Sequence, residues 1–320
     1  MSVPKILTDR QMGGRLRLRD LFVFSAVAQH GSMAKAAADL GVAQPTVSEV
    51  ISNLENAYGV SLFDRSTRGV QLTVYGEALL RRSVAVFDEL NQSAKDIRFL
   101  ADPTVGEVRI AALEGLSAAI LPEMIQHFAH SYPKVVVYVD NLVTSGPGMN
   151  GLRDRIYDLV LVRRDSGNQL LDEGLNVETL CDDGLVVAAG AHSRWVGRSD
   201  IGLAELLGEP WIFSPPGYAH AEEVFRGQGL NLPEGRIISL SVTLRMHLMS
   251  NGPYITMFPR SVMRQLAHRF GIVPLAVSLP SKPWPVVVVT LKNRTQSAAV
   301  ESFLKSAREA AQSFSTQPAS

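Results

Sequence analysis

A chain of 320 residues, 46% hydrophobic and 19% charged, carries enough apolar material for one large core or two to three smaller ones. Thirty-one basic residues cancel thirty-one acidic ones, so overall charge argues neither for nor against a nucleic-acid partner. The single cysteine, Cys181, excludes an internal disulfide, no Cys/His set has zinc-site spacing, and the longest aliphatic run, Val286 to Val289, is far too short to cross a bilayer, so a cytoplasmic protein with no metal, cofactor or membrane partner is expected.

The opening residues 1–17 are polar and basic without a continuous apolar core, so they read as a loose arm rather than a secretory signal. From Leu18 to Ala28, apolar or small residues at Leu18, Leu21, Phe22, Ser25 and Ala28 have the spacing of one helical stripe, and His30-Gly31 ends it. Ser32 stands at the N-cap of a second helix, "MAKAAADL", which Gly41 stops. A third helix is expected to be capped by Gln44, with Pro45 at its first position, Val47, Ile51, Leu54 and Tyr58 on one face and Gly59 closing it.

Two short helices joined by a tight glycine turn make a helix-turn-helix, with the third helix as reading element. Its outward face carries Gln44, Thr46, Ser48, Glu49, Ser52 and Asn53, short donors and acceptors suited to base edges and phosphates, although any solvated helix has such a face. "VSLFDRSTRGVQLT" then suits a β-hairpin wing with Gly69 in its turn, and Arg65 and Arg68 near its tip can enter a minor groove or pair with phosphates. Ser32, Lys35 and Pro45 complete the candidate DNA contacts. Met1 to Tyr75 holds eight basic against six acidic residues, so placement rather than charge carries this reading.

The segment resembles the winged helix-turn-helix of the LysR-type transcriptional regulators. The matching residues are Gly31-Ser32, Ala36-Ala37, Leu40, Val42, Gln44-Pro45 and Ser48, Leu54-Glu55, the "G--LF-R" of Gly59 to Arg65, and the "LT--G" of Leu72 to Gly76. The resemblance implies a DNA-binding domain over 18–75 whose oligomer, a homodimer or homotetramer, binds double-stranded promoter DNA at dyad sites and engages RNA polymerase.

Gly76 to Leu100 has no proline and repeats Leu79, Ser83, Val86, Leu90, Ser93, Ile97 and Leu100 in steps of four and three, a heptad seam. With Leu80 and Phe87 beside it the stripe is too apolar to face water, so either a partner helix or the helix's own domain covers it. The resemblance identifies residues 76–101 as a linker helix that pairs in dimers, with Leu79, Val86, Leu90 and Ile97 as its contacts.

Beyond it the rhythm becomes strand, helix, strand: "VRIAAL", the helical "SAAILPEMIQHFAHSY", "VVVYVD", the helical "MNGLRDRIY", then "DLVLV". Such alternation predicts a parallel sheet with covering helices. Further strands are expected at "GLVVAAG", "PWIFSP", "YITMF" and "PVVVVTL", with a closing helix from Ser297 to about Gln312. The family resemblance implies an α/β effector domain over 102–320 with the two-lobed fold of periplasmic binding proteins, lobe I about 104–174 and 276–312 and lobe II about 175–275.

Ligands of open α/β folds bind beyond the carboxyl ends of strands and at helix N-termini, and in a two-lobed fold the cleft collects several such ends. Here those ends deliver Glu114, Gly115 and Ser117, and Thr144 and Ser145. By the resemblance, Gly115 falls where relatives place a ligand-binding hydroxyl, with Ser117 as substitute, and Ser145 and Arg163 fall at pocket positions. Arg163 reads equally as an effector clamp or a salt-bridged structural arginine, and Glu114 as a group that repels an anion or neutralises an arginine. Ser214 and Thr243 are further candidate contacts, Asp182-Asp183 reads as a surface turn, and a small polar, anionic effector is expected.

No G-x-S-x-G elbow, P-loop or G-x-G-x-x-G is present and no carboxylate pair is placed by motif, so no catalytic residues are assigned and an enzyme is not expected. Two alternatives stand beside the regulator: a metabolite-binding or hydrolytic protein that uses the helix-turn-helix as scaffold, with Ser117 as nucleophile, and an architectural DNA-bound protein that needs no effector.

Overall fold

The computed structural model describes residues 16–66, 69–102, 105–164, 174–279 and 284–315. The chain forms two compact units, residues 1–91 and 92–320. The expected arm lies almost wholly outside the described residues.

In the first unit, α1 (Leu18–His30), α2 (Met33–Asp39) and α3 (Gln44–Tyr58) are followed by a wing of β1 (Phe63–Ser66) and β2 (Gly69–Leu72) and by the start of α4 (Val74–Ala101). Gly31 and Gly59 end α1 and α3 in the left-handed region, at φ 59° and 70°, where a side chain would be strained. Gln44 is the first residue inside α3 rather than its cap, which is Ala43. Phe24, Val27, Ala36, Val47 and Ile51 are fully buried and form the centre of the core.

The apolar stripe of α1 is turned from the expected one. Val23, Phe24 and Val27 face the core, whereas Leu18 and Phe22 are half exposed. Phe22 meets the ring of Phe87 edge-on at 5.9 Å, so it belongs to a second packing surface along α4.

Glu55 of α3 fastens the wing: its Oε1 accepts the N–H groups of Leu62 and Phe63 at 2.8 and 3.3 Å. Thr73 then starts α4, its hydroxyl donating to the Ser61 carbonyl and accepting the Gly76 N–H. A β-carbon on Gly76 would lie 2.1 Å from the Leu62 carbonyl oxygen, a backbone atom that cannot step aside. Gly76→Ala is therefore expected to destabilise the first unit by at least about 1–3 kcal/mol. Hydrogen exchange protection of α1 to α3 unchanged by the substitution would contradict that close approach.

The helix α4 starts two residues before the expected Gly76 and contains no break. Leu79 does not join the exposed seam: with Leu80 it packs against the helix-turn-helix core, because the first turns of α4 cover that core. The neighbouring Ser83 is buried and donates to the Leu79 carbonyl. Val86, Leu90, Ile97 and Leu100 are exposed in the protomer. Past Asn91 the helix joins the second unit, where Asp96 accepts the Ala298 N–H at 3.0 Å and Lys95 pairs with Glu107 at 3.0 Å.

The second unit has two five-stranded sheets. Lobe I orders its strands β4 (Val135–Leu142), β3 (Gly106–Leu113), β5 (Leu159–Arg163), β12 (Pro285–Leu291), β6 (Leu175–Asp182). Lobe II orders them β11 (Ile272–Pro274), β7 (Leu185–Gly190), β10 (Ile255–Pro259), β8 (Trp211–Phe213), β9 (Ile237–Ile238). Helices α5 (Glu114–Ala119), α6 (Leu121–Ser131), α7 (Ser145–Arg153), α8 (Tyr218–Gly227), α9 (Val242–Asn251), α10 (Arg260–Phe270) and α11 (Ala298–Ser315) complete the unit.

The sheets are mixed, not purely parallel. In lobe I, β3 runs parallel to β4 and β5, but β12 returns from lobe II and slots antiparallel between β5 and β6. The expected lobe boundary also moves. β6 pairs with β12 and so belongs to lobe I, and Val277 bridges to Ile201 in lobe II. The chain therefore crosses between lobes at Asp183-Gly184, not near 174, and returns after 279. The stretch read as one helix from Ser117 is two, α5 and α6, with Pro122 in the first turn of α6.

Candidate functional site

The outer face of α3 is built from residues left over after its inner face is buried. With Val47, Ile51 and Leu54 in the core, helical spacing turns Gln44, Pro45, Thr46, Glu49, Ser52 and Asn53 outward, and all are exposed. Ser48 is half buried, and its hydroxyl donates to the Met33 sulfur at 3.4 Å, so it joins α3 to α2. The side chain of Ser32 caps α2 by accepting the Lys35 N–H, while Lys35 itself is exposed. Arg65 lies on β1, half exposed, 3.5 Å from Glu55 Oε2. Arg68 lies outside the described residues.

A second site lies between the lobes: a cavity of about 40 Å³ lined by Gly115, Arg163, Ser214, Arg245, Val262 and Trp284, among others. By the measure in which one water occupies roughly 10–15 Å³, it holds about three water-sized groups.

Arg163 is held from inside the protein. Its guanidinium donates to Asp183 Oδ2 at 2.6 Å and lies over the Trp284 ring at 4.5 Å, with both charged side chains about 3–4% exposed. Asp183 also accepts the N–H and hydroxyl of Ser261 at the start of α10, at 2.9 and 2.6 Å. Next to it, Asp182 accepts the Trp284 N–H at 2.8 Å. The acidic pair expected in a surface turn thus anchors both crossovers, since a carboxylate satisfied by several donors is stable when buried. Arg163 is thus salt-bridged, and its side chain also lines the cavity.

Glu114 spans the lobes. Its Oε1 accepts the Val242 N–H at 2.9 Å, in the first turn of α9, while its Oε2 is buried without a hydrogen-bond partner. Burial raises its pKa, against the lowering effects of the Val242 N–H and the Arg245 charge. One turn on, the buried Ser117 hydroxyl also has no partner. Gly115 opens onto unfilled space, so steric pressure does not account for its missing side chain.

Of the expected contacts, Gly115, Arg163 and Ser214 line the cavity, but Glu114, Ser117, Thr144, Ser145 and Thr243 do not. Thr144 and Ser145 sit at the start of α7 in lobe I, and Thr243 is exposed on α9 beside the buried Val242.

Arg245 escaped the sequence reading. It is only 4% exposed, its guanidinium lies over the Phe258 ring at 4.5 Å, and its Nε has no partner. Burial lowers its pKa to about 10, against the raising effect of Glu114, yet the two groups are not in ion-pair contact. A signal was present: Val242, Met246 and Met249 mark the inward stripe of α9, and Arg245 falls within it. Cys181, by contrast, is buried with its thiol pushed up to about 12 by burial and by the Asp183 charge, which leaves it unreactive.

Two family models match the chain: the "LysR substrate binding domain" over residues 101–312 and the "Bacterial regulatory helix-turn-helix protein, lysR family" over 18–77. Among relatives, the uncharacterized HTH-type transcriptional regulator YdcI of Escherichia coli K12 is 28% identical over 299 residues, 92% of this chain and 96% of that protein. The HTH-type transcriptional regulator TdcA of the same strain is 26% identical, over 85% of this chain and 86% of its own. Similar solved structures include full-length CbnR complexed with its target DNA, with a TM-score of 0.56, 23% identity and coverage of 92% of this chain and 100% of that one. A full-length OxyR variant from Pseudomonas aeruginosa has a TM-score of 0.63 at 20% identity, covering 92% and 95%.

Proposed function

Because this chain belongs to the LysR family of bacterial transcriptional regulators, with a DNA-binding helix-turn-helix and an effector-binding domain, we propose that α3 reads promoter DNA through Gln44, Thr46, Glu49 and Asn53. The observation that carries this reading is the face of α3: a row of short polar side chains left exposed by a helix whose other side is locked into the core. Lys35 and Arg65 supply phosphate contacts, and Arg68 lies outside the described residues. The protein acts in the cytoplasm as a homodimer or homotetramer on a dyad, and meets RNA polymerase there. Half-site symmetry follows from two-fold protein symmetry.

The test is a gel shift on the DNA upstream of its own gene over a range of salt. Thr46→Ala or Asn53→Ala is expected to cost about 1–3 kcal/mol at sites where the residue meets a base. Arg65→Ala is expected to weaken all sequences nearly equally and to flatten the salt slope by about one ion. Absence of salt-sensitive binding would overturn the DNA reading.

The effector sits in the cavity between the lobes and presents an anionic group to Arg245. Support comes from the cost of a buried, unpaired cation, which a ligand anion offsets. A ligand that fills the cavity in only one arrangement of the lobes biases that arrangement by its differential affinity. Among the described residues no helix is long and apolar enough to cross a membrane.

A further inference from the structure

We propose that the effector is a singly charged, trigonal carboxylate of the size of acetate, its oxygens on Arg245 and its methyl against the apolar wall of the cavity. This rests on the reading that an anionic effector occupies the cavity between the lobes, and adds the ligand's charge and size.

Charge sets the first limit. Among the described residues, the charged side chains that line the cavity are Arg163 and Arg245, and no acidic side chain lines it. Arg163 is taken by Asp183. Arg245 is only 4% exposed, its Nε has no partner, and Glu114 acts on it from beyond contact distance. A guanidinium presents its N–H groups as a planar fork that the two oxygens of one carboxylate fit. A second charge on the ligand would have no further cation to meet and would be repelled by Glu114.

Volume sets the second limit. About 40 Å³ accommodates about three water-sized groups. Three outer groups on one central atom describe acetate, bicarbonate and nitrate alike, so the lining has to choose among them. Ser214 brings a hydroxyl, but Leu116, Met257 and Val262 are apolar. A methyl enters beside them without losing a hydrogen bond, whereas a third oxygen leaves its water behind. Closure of the lobes keeps the space small: Glu114 Oε1 of lobe I accepts the Val242 N–H of lobe II, and a longer acid enters only if the lobes part and that bond breaks.

The experiment is isothermal titration of the full-length protein, near neutral pH and at constant ionic strength, with formate, acetate, butyrate, succinate, bicarbonate and nitrate. Acetate is expected to bind roughly fourfold tighter than formate, the value of one buried methyl. It should bind on the order of tenfold tighter than butyrate or succinate, which overfill the cavity. Arg245→Met should abolish acetate binding. Urea unfolding without added anion should find that variant at least as stable as the parent, because it removes an unpaired buried charge. Leu240→Ala widens the cavity from a half-buried position and should move the preference from acetate toward butyrate; this variant and the size series test the proposal whatever the folding of Arg245→Met. Butyrate or succinate that binds the parent as tightly as acetate, and is lost in Arg245→Met, would overturn the size limit and leave an anionic effector standing. Bicarbonate or nitrate binding tighter than acetate would overturn the carboxylate in favour of an inorganic anion. An acetate preference untouched by Leu240→Ala would overturn this placement of the ligand. Acetate binding unchanged in Arg245→Met, or no binding by any of the six anions, would overturn both this proposal and the anionic effector on Arg245.

Discussion

Asp183→Ala is expected to destabilise the effector domain by about 3–5 kcal/mol, because it leaves Arg163 buried with its main counter-charge gone. The loss extends beyond one ion pair. Asp183 also accepts the N–H and the hydroxyl of Ser261, so α10 loses two of its ties to the crossover and keeps the bond from the Arg260 N–H to the Gly184 carbonyl. The measurement is urea unfolding of the full chain followed by tryptophan fluorescence. All three tryptophans, Trp195, Trp211 and Trp284, lie in the second unit, so the signal reports that unit. Arg163→Met combined with Asp183→Ala should cost less than the sum of the two single changes, since the double variant leaves no unpaired charge. Additive costs, or a single-variant loss below about 1 kcal/mol, would show that the pair is a surface-like contact of little consequence.

Leu90→Glu is expected to convert the oligomer to protomers, with the association constant reduced by on the order of a hundredfold or more. Each two-fold interface would bury two new carboxylates, at a cost of several kcal/mol. The change is benign to the protomer itself, where Leu90 is 48% exposed, so folding and secondary structure should be untouched. That separation makes the result clear. Val86, Leu90, Ile97 and Leu100 continue the four-and-three spacing along α4, and all four are exposed among the described residues. Sedimentation velocity showing the same oligomer for variant and parent would remove the linker helix from the main contact. Leu79→Glu should behave differently, unfolding the first unit, because Leu79 packs on the helix-turn-helix core.

The elements whose information is local were legible in the amino-acid order. Glycines at 31 and 59 stop helices where only a left-handed residue serves, Ser32 caps α2, and Val47, Ile51 and Leu54 mark the inward face of α3. These depend on neighbours within a turn or two, and propensity, capping and periodicity act over that range. From them the DNA-binding unit, its outward polar face and the family resemblance followed, as did most strands of the effector domain. Where two surfaces compete for one helix, local pattern was misleading: Phe22 and Leu79 are apolar for reasons set by α4 packing on α1 and its neighbours.

Contacts between distant segments were settled by tertiary structure alone. The placement of β6 depends on β12, more than a hundred residues later in the chain, whose register decides which lobe owns it. Asp182-Asp183 looks like a solvated turn until Trp284, Arg163 and Ser261 converge on it from three other segments. Arg245 and Glu114 come within range of each other's charge only when two lobes bring α5 against α9 and burial takes water from both. Burial turns an ordinary charge into a demanding one, and burial is a property of the assembled fold rather than of any short stretch of chain.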